Sequence, residues 1–130
     1  EVLIFDDASS DRTGQVADEL ATQDPRVRVF HNSRRLNIGG IYKAGIREAR
    51  GEYVLMIPGD NEIRVGELLS GAAALDRADV VIFYVTNARK ARGIFRWTLS
   101  GLYVKMVNVF FGTCFRYTNG TNIFRTSILY

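Results

Sequence analysis

Val2-Leu3-Ile4-Phe5-Asp6-Asp7-Ala8-Ser9-Ser10-Asp11-Arg12-Thr13 stands at the start of the chain. Four apolar residues, two of them β-branched and one aromatic, read as a buried strand halted by an acidic pair and two serines. A helix is expected next. Ser10 or Asp11 can cap it, Val16, Ala17, Leu20 and Ala21 recur at helical spacing, and Asp24-Pro25 stops it.

The same alternation continues outward from this segment. Val27 to Phe30 reads as a short strand, and Ile41, Tyr42, Gly45, Ile46 and Ala49 form an amphipathic helical stripe that ends before Gly51. Tyr53 to Ile57 is the next strand. Val65, Leu68, Leu69, Ala72 and Ala73 make a third helical stripe, and Val80 to Val85 a fourth strand. Strands and helices in alternation predict an α/β fold: a mostly parallel sheet with right-handed crossovers, flanked by helices. An amphipathic helical region follows, over residues 93–112. Ligands of such sheets gather at the carboxyl ends of the strands. The acidic segment sits at one such end, and Pro58-Gly59-Asp60-Asn61-Glu62 at another.

At 130 residues, 47% of them hydrophobic and 24% charged, the chain suits a single globular domain. Because it opens directly on a strand and ends on Ile128-Leu129-Tyr130, it is expected to be a fragment. Its one cysteine, Cys114, excludes an intrachain disulfide and a cysteine-based zinc cluster. The longest apolar stretch, Trp97 to Phe111, is interrupted by Ser100, Lys105 and Asn108 and is short for a membrane span, so any membrane contact here would be interfacial. Charge divides the chain unevenly. All 14 acidic residues lie in residues 1–79, whereas residues 80–130 hold seven Lys and Arg and no acid. A basic second half points to an anionic partner, whether a phosphate, a lipid surface or a nucleic acid, although a solvated basic face gives the same pattern.

The two acidic strand ends together fit a nucleoside diphosphate sugar. Carboxylates accept hydrogen bonds from a base or ribose, and a divalent cation on one or two oxygen ligands neutralises a diphosphate. Asp7 suits the first role, Asp60 the second, and Glu62 can add a ligand from the same loop. Taken singly, the Asp pair also reads as a helix-capping turn, and Gly59-Asp60-Asn61 as a tight turn.

These residues carry a resemblance. Asp6-Asp7-Ala8-Ser9-Ser10-Asp11-Arg12-Thr13, Asn37-Ile38-Gly39-Gly40 with Ala44 and Gly45, and Gly51-Glu52-Tyr53-Val54 leading into Pro58-Gly59-Asp60 resemble, in order, the motifs of family 2 glycosyltransferases of GT-A fold. The resemblance implies that Asp7 and Asp6 bind the nucleoside, that Asn37 and Gly39 lie by the nucleotide, and that Asp60 is the catalytic metal contact for Mg²⁺ or Mn²⁺. The family's metal motif is Asp-x-Asp; here Pro58 replaces its first Asp, and Glu62 is the candidate substitute. Family members also carry an earlier strand and a Pro-x-x-Asn-Glu loop, which again implies a fragment. The later Gly120-Thr121-Asn122-Ile123-Phe124-Arg125 is similar to a family segment in which Arg125 would face the diphosphate.

In the second half, Arg89, Arg92, Arg96 and Ser100 recur at spacings of three, four and four, which places them in one stripe if the helix starts as early as Arg89. Guanidinium forks and a hydroxyl suit a phosphate monoester. The remaining positions are largely apolar, which fits either an interfacial helix or a core helix with snorkelling arginines. The pattern is similar to the dolichol-phosphate mannosyltransferase-like, or polyprenyl-phosphate, branch of the family. That resemblance implies residues 1–85 as the nucleotide-sugar part and residues 86–130 as the acceptor and membrane-proximal part. It also implies an inverting, metal-dependent transfer of a sugar from a nucleotide diphosphate to a polyprenyl phosphate at the cytoplasmic face of a membrane, with no nucleic acid involved. Rival expectations are transfer to a saccharide hydroxyl, which needs a carboxylate base that residues 80–130 lack, a receiver-like domain, and a non-catalytic nucleotide-binding fragment. His31, the one histidine, reads as structural.

Overall fold

A computed structural model describes residues 1–60, 64–83, 88–117 and 120–130, with the backbone alone for residues 88–92 and 96. The chain forms two compact units. The first comprises Glu1–Val54 and Arg125–Tyr130, the second Leu55–Phe124.

In the first unit, β1 (Val2–Asp6) and β2 (Val27–His31) pair in parallel, joined by α1 (Thr13–Gln23), and α2 (Asn37–Glu48) follows. The parallel register sets Phe5 opposite Phe30 and Asp6 opposite His31. The two phenyl rings stack at 4.7 Å between centroids, a cross-strand pair of the kind that fixes register. Gly45 of α2 lies over Phe5, where an added Cβ would stand 3.5 Å from the ring. As the spacing predicts, the Ile41, Tyr42, Gly45, Ile46 and Ala49 stripe is half-buried while Lys43 and Arg47 face out. Arg28 ties β2 to the end of α2 through Glu48 (2.8 Å), and also reaches Glu1 (3.2 Å).

The α1 stripe is buried less than expected. Ala17 is 4% exposed, but Val16 and Leu20 remain 47% and 46% exposed. A two-stranded sheet offers too little surface to cover the whole face of a three-turn helix. The expected cap is also displaced by a residue: Arg12 occupies the cap position without a side-chain bond, and Asp11 accepts from the Thr13 amide at 3.0 Å.

The last residues of the chain belong to this unit. Arg125 pairs with Glu52 (2.6 Å) and lies over the Tyr53 ring (4.9 Å). The Thr126 hydroxyl donates to the Gly51 carbonyl, and the Tyr130 hydroxyl to that of Ile46. Strand β3 (Tyr53–Leu55) crosses the boundary between the units.

In the second unit, α3 (Val65–Ser70) runs into a 3₁₀ turn at Gly71–Ala74, and β4 (Val80–Ile82) pairs with β5 (Asn122–Arg125). That pairing is antiparallel, with Val81 opposite Ile123. It is an antiparallel exception to the mostly parallel order expected, although α4 lies between the two strands in the chain. Among the described residues of this unit, Leu68, Val104, Tyr117 and Ile123 are the buried apolar ones. The fourth helix, α4 (Ala88–Phe111), starts early enough to include Arg89, but it is two helices joined at Gly93 (φ 71°, ψ 160°). Glycine adopts this left-handed region without steric cost.

The break at Gly93 overturns the single stripe. Arg89 and Arg92 precede it and Arg96 and Ser100 follow it, so a 100° increment no longer relates the two pairs. Behind the break, Ser100 shares a face with buried Val104 and half-buried Val107 and Asn108. Phe95, Leu99, Leu102, Val109, Phe110 and Phe111 are instead exposed, from 58% at Leu99 to 80% at Phe95. Among the described residues, no helix is long and apolar enough to cross a membrane.

Candidate functional site

Parallel pairing of β1 with β2 brings two strand ends to one edge, and the residues there bind one another in two adjacent sets. Asp6, 9% exposed, accepts from the Ser9 amide at 3.1 Å and faces His31 Nδ1 at 3.2 Å. The other ring nitrogen, Nε2, lies 3.0 Å from Asp18 of α1. The Asn32 amide continues the ladder by donating to the Asp6 carbonyl.

Asp7 forms the second set. Its Oδ1 accepts from Asn32 Nδ2 (2.9 Å) and the Leu36 amide (2.8 Å), and its Oδ2 from the Asn37 amide (3.0 Å). Helix α2 has no cap from its own leading residue. A carboxylate about thirty positions earlier fills that role, where the positive end of the helix dipole also favours it. Asn37 enters the helix at φ 58°, and Ala8 turns the acidic loop at φ 57°. Three bonds on Asp7 leave acceptor capacity chiefly at Oδ2, since each carboxylate oxygen offers about two lone-pair sites.

Hydrogen bonds set the charge states. The Ser9 hydroxyl and His31, followed by the Ser9 amide, hold the Asp6 carboxyl below its ordinary range. The Leu36 amide foremost, with Asn32 and Asn37, does the same for Asp7. Asp18 and then Asp6 raise His31 above its ordinary value. Because both carboxyl groups titrate lower in the folded chain, they stabilise it fully above about pH 4, the ordinary carboxylate value, and that contribution disappears as pH falls through the lowered values. Amide exchange at Ser9, Leu36 and Asn37, followed in acid, is expected to accelerate in that window ahead of β1.

Gly14 is required where α1 meets this cluster. An added Cβ would lie 2.7 Å from Asp6 Oδ2 and 3.3 Å from the His31 ring. Gly14→Ala gains up to about 1 kcal/mol of helix propensity, but overpacking costs about 1–3 kcal/mol, so a net loss is expected in denaturant unfolding. A stabilised variant would show that the cluster is not packed as described.

The remaining predicted residues are placed as follows. Gly39 is exposed in the first turn of α2, with open space where a Cβ would stand. Arg125 is engaged by Glu52 and Tyr53 within the first unit. Asp60 is exposed on the turn after Pro58, in the second unit. Glu62 and the side chains of Arg89, Arg92 and Arg96 lie outside the described residues. Sequence reasoning missed Asn32, Asp18 and Gly14, and gave His31 no part in the site. The available signal was the equal offset: Asp6 to His31 and Asp7 to Asn32 are each 25 residues apart.

Among the described residues, no group of three or more His, Cys, Asp or Glu is placed to hold a metal ion. A single exposed carboxylate at Asp60 does not make an all-protein cage. It does fit an ion of the Mg²⁺ type, which binds through one or two carboxylates and takes its other ligands from substrate phosphates and water.

Comparison with known proteins decides the family. The model of glycosyl transferase family 2 matches residues 1–130. The chain belongs to this family. Glycosyltransferase family 2 has the Rossmann-like GT-A α/β architecture, with which the helices and the parallel β1–β2 pair agree. The family 2 chain is 31% identical over 103 residues to the glycosyltransferase GlyG of Streptococcus pneumoniae, covering 78% of this chain and 34% of that protein. It is 40% identical over 85 residues to an undecaprenyl-phosphate mannosyltransferase of Micrococcus luteus, covering 63% and 35%. Over 45 residues it is 49% identical to a polyprenol monophosphomannose synthase of Mycolicibacterium smegmatis, covering 34% and 17%. The match thus spans at most about a third of the length of these relatives. Family membership removes the receiver-like alternative.

Proposed function

We propose that this family 2 domain transfers a sugar, with inversion, from a nucleoside diphosphate to a polyprenyl phosphate. The observation that carries the donor half is the Asp7 arrangement: a carboxylate fixed by three donors at a strand end, with capacity left at Oδ2 for a base or ribose. Asp6, buried and engaged by Ser9 and His31, holds the loop rather than the ligand. Asn37 and Gly39, at the start of α2, lie beside the nucleotide.

Asp60 would hold a divalent cation, with Glu62 as a second oxygen ligand in place of the carboxylate that Pro58 does not supply. The chemistry that Mg²⁺ or Mn²⁺ would supply there is neutralisation of the diphosphate's charge. Arg96 and Ser100 hold the acceptor phosphate, with Arg89 or Arg92 assisting from before the Gly93 break. A phosphate acceptor is already an anionic nucleophile, so the chain needs no general base, and residues 80–130 contain no carboxylate to act as one. Rate enhancement then comes from positioning and electrostatic stabilisation. Arg125 would face the diphosphate with its remaining guanidinium donors while Nη1 is engaged by Glu52.

The acceptor half draws support from the relatives named for undecaprenyl phosphate and polyprenol, and from α4. Its exposed apolar residues and the basic second half suit the surface of a cytoplasmic membrane leaflet, with the apolar side chains among the acyl chains. The test is transfer of labelled sugar from GDP-mannose and from UDP-glucose, with undecaprenyl phosphate and undecaprenol supplied side by side. The label should enter the lipid fraction with the phosphate alone. Transfer to undecaprenol, or only to soluble saccharide, would reject the acceptor.

A further inference from the structure

His31 has a geometry that its neutral form does not satisfy. Both ring nitrogens face carboxylate oxygens, Nδ1 toward Asp6 Oδ2 at 3.2 Å and Nε2 toward Asp18 Oδ1 at 3.0 Å. A neutral imidazole donates through one nitrogen and presents a lone pair at the other, which would oppose one of the two carboxylates. An imidazolium donates to both. The groups acting on the ring are these two acids, Asp6 from β1 and Asp18 from α1, and the charge of Asp6 is also felt by Asp11. The ring is 47% exposed, so solvent protons reach it.

The clamp bears on the donor site. Asp6 carries the Ser9 amide and thereby the turn of the acidic loop, and Asn32, next to His31, donates to both Asp7 and the Asp6 carbonyl. Gly14 allows α1 to approach closely enough for Asp18 to complete the arrangement. We propose that His31 is a positioning residue for donor binding: as an imidazolium it ties the acidic loop and β2 to α1, and its deprotonation loosens the edge that holds Asp7. This rests on the reading of that edge as the nucleoside site. The clamp's contribution is complete below the ordinary histidine value and is lost as pH rises through the raised folded value, the sign expected of a cation stabilised by neighbouring acids.

The test uses GDP-mannose and UDP-glucose as probes, because their diphosphates are doubly esterified and do not titrate near neutrality. Affinity of the full chain for the binding probe is expected to fall about threefold to tenfold between about pH 6 and about pH 8.5. His31→Arg, which keeps a permanent charge and donors for both acids, should bind with a flat profile near the low-pH value. His31→Ala should bind weakly at every pH. If that variant fails to fold, Asp18→Asn at the exposed partner serves instead, and its affinity should begin to fall at lower pH. A flat profile in the unmodified protein, or an unchanged profile in Asp18→Asn or His31→Ala, overturns the proposal. Ser9 amide exchange separates this inference from the donor reading. Exchange that quickens with the deprotonation of His31, beyond the intrinsic rise with pH, supports the clamp even if neither probe binds, an outcome that would overturn the donor reading alone.

Discussion

Asp7→Ala is expected to lower affinity for the sugar nucleotide by about tenfold to about a hundredfold, the range for losing hydrogen bonds to a charged group. The substitution removes the acceptor shared by Asn32 Nδ2 and the Leu36 and Asn37 amides. Those donors turn to water, and α2 loses its cap. Amide exchange at Leu36 and Asn37 should therefore quicken in the absence of any ligand, while β1 exchange changes little. Asp7→Asn retains a carbonyl acceptor without the charge and should fall between the two. Unchanged exchange together with unchanged affinity would show that Asp7 neither caps the helix nor meets the donor.

For Arg96→Ala, transfer to polyprenyl phosphate is expected to drop by about a hundredfold or more, as for other fixed donors to a reacting phosphate, with donor affinity intact. Ser100→Ala removes one hydroxyl and should cost about tenfold. After the break at Gly93, Arg96 and Ser100 lie four residues apart on one helical segment, so their losses should be non-additive. Arg89 and Arg92 precede the break, and whichever of them meets the same phosphate should also couple with Arg96. The measurement is lipid-phase product formation alongside calorimetric donor binding. Parallel loss of both activities in Arg96→Ala, or loss of neither, would count against an acceptor-phosphate role.

Much of the first unit is legible because its signals are local. An apolar run ending in Asp6-Asp7, and a 3.6-residue stripe from Ile41 to Ala49, state strand and helix without tertiary information. The bonds of His31 to Asp6 and of Asn32 to Asp7 depend on the register of β1 against β2, which no single segment encodes. The exposure of Val16 and Leu20 was hidden for a related reason: periodicity marks an apolar face but not whether enough sheet exists to cover it. The helix expected over residues 93–112 begins where Gly93 breaks α4, and the stripe back to Arg89 depended on a helix running through that glycine, whose φ alone reveals the break. The return of Arg125–Tyr130 to the first unit follows from bonds to Gly51, Glu52 and Ile46 across more than seventy positions.

Of the two acidic strand ends, the one at Asp7 carries the weight, and a crystal structure of the protein with a bound nucleoside diphosphate tests it most directly. The account predicts a base or ribose donor within hydrogen-bonding distance of Asp7 Oδ2, with the Asp6–His31–Asp18 contacts retained beneath it. A nucleotide bound elsewhere, with Asp7 still holding only Asn32, Leu36 and Asn37, would contradict it.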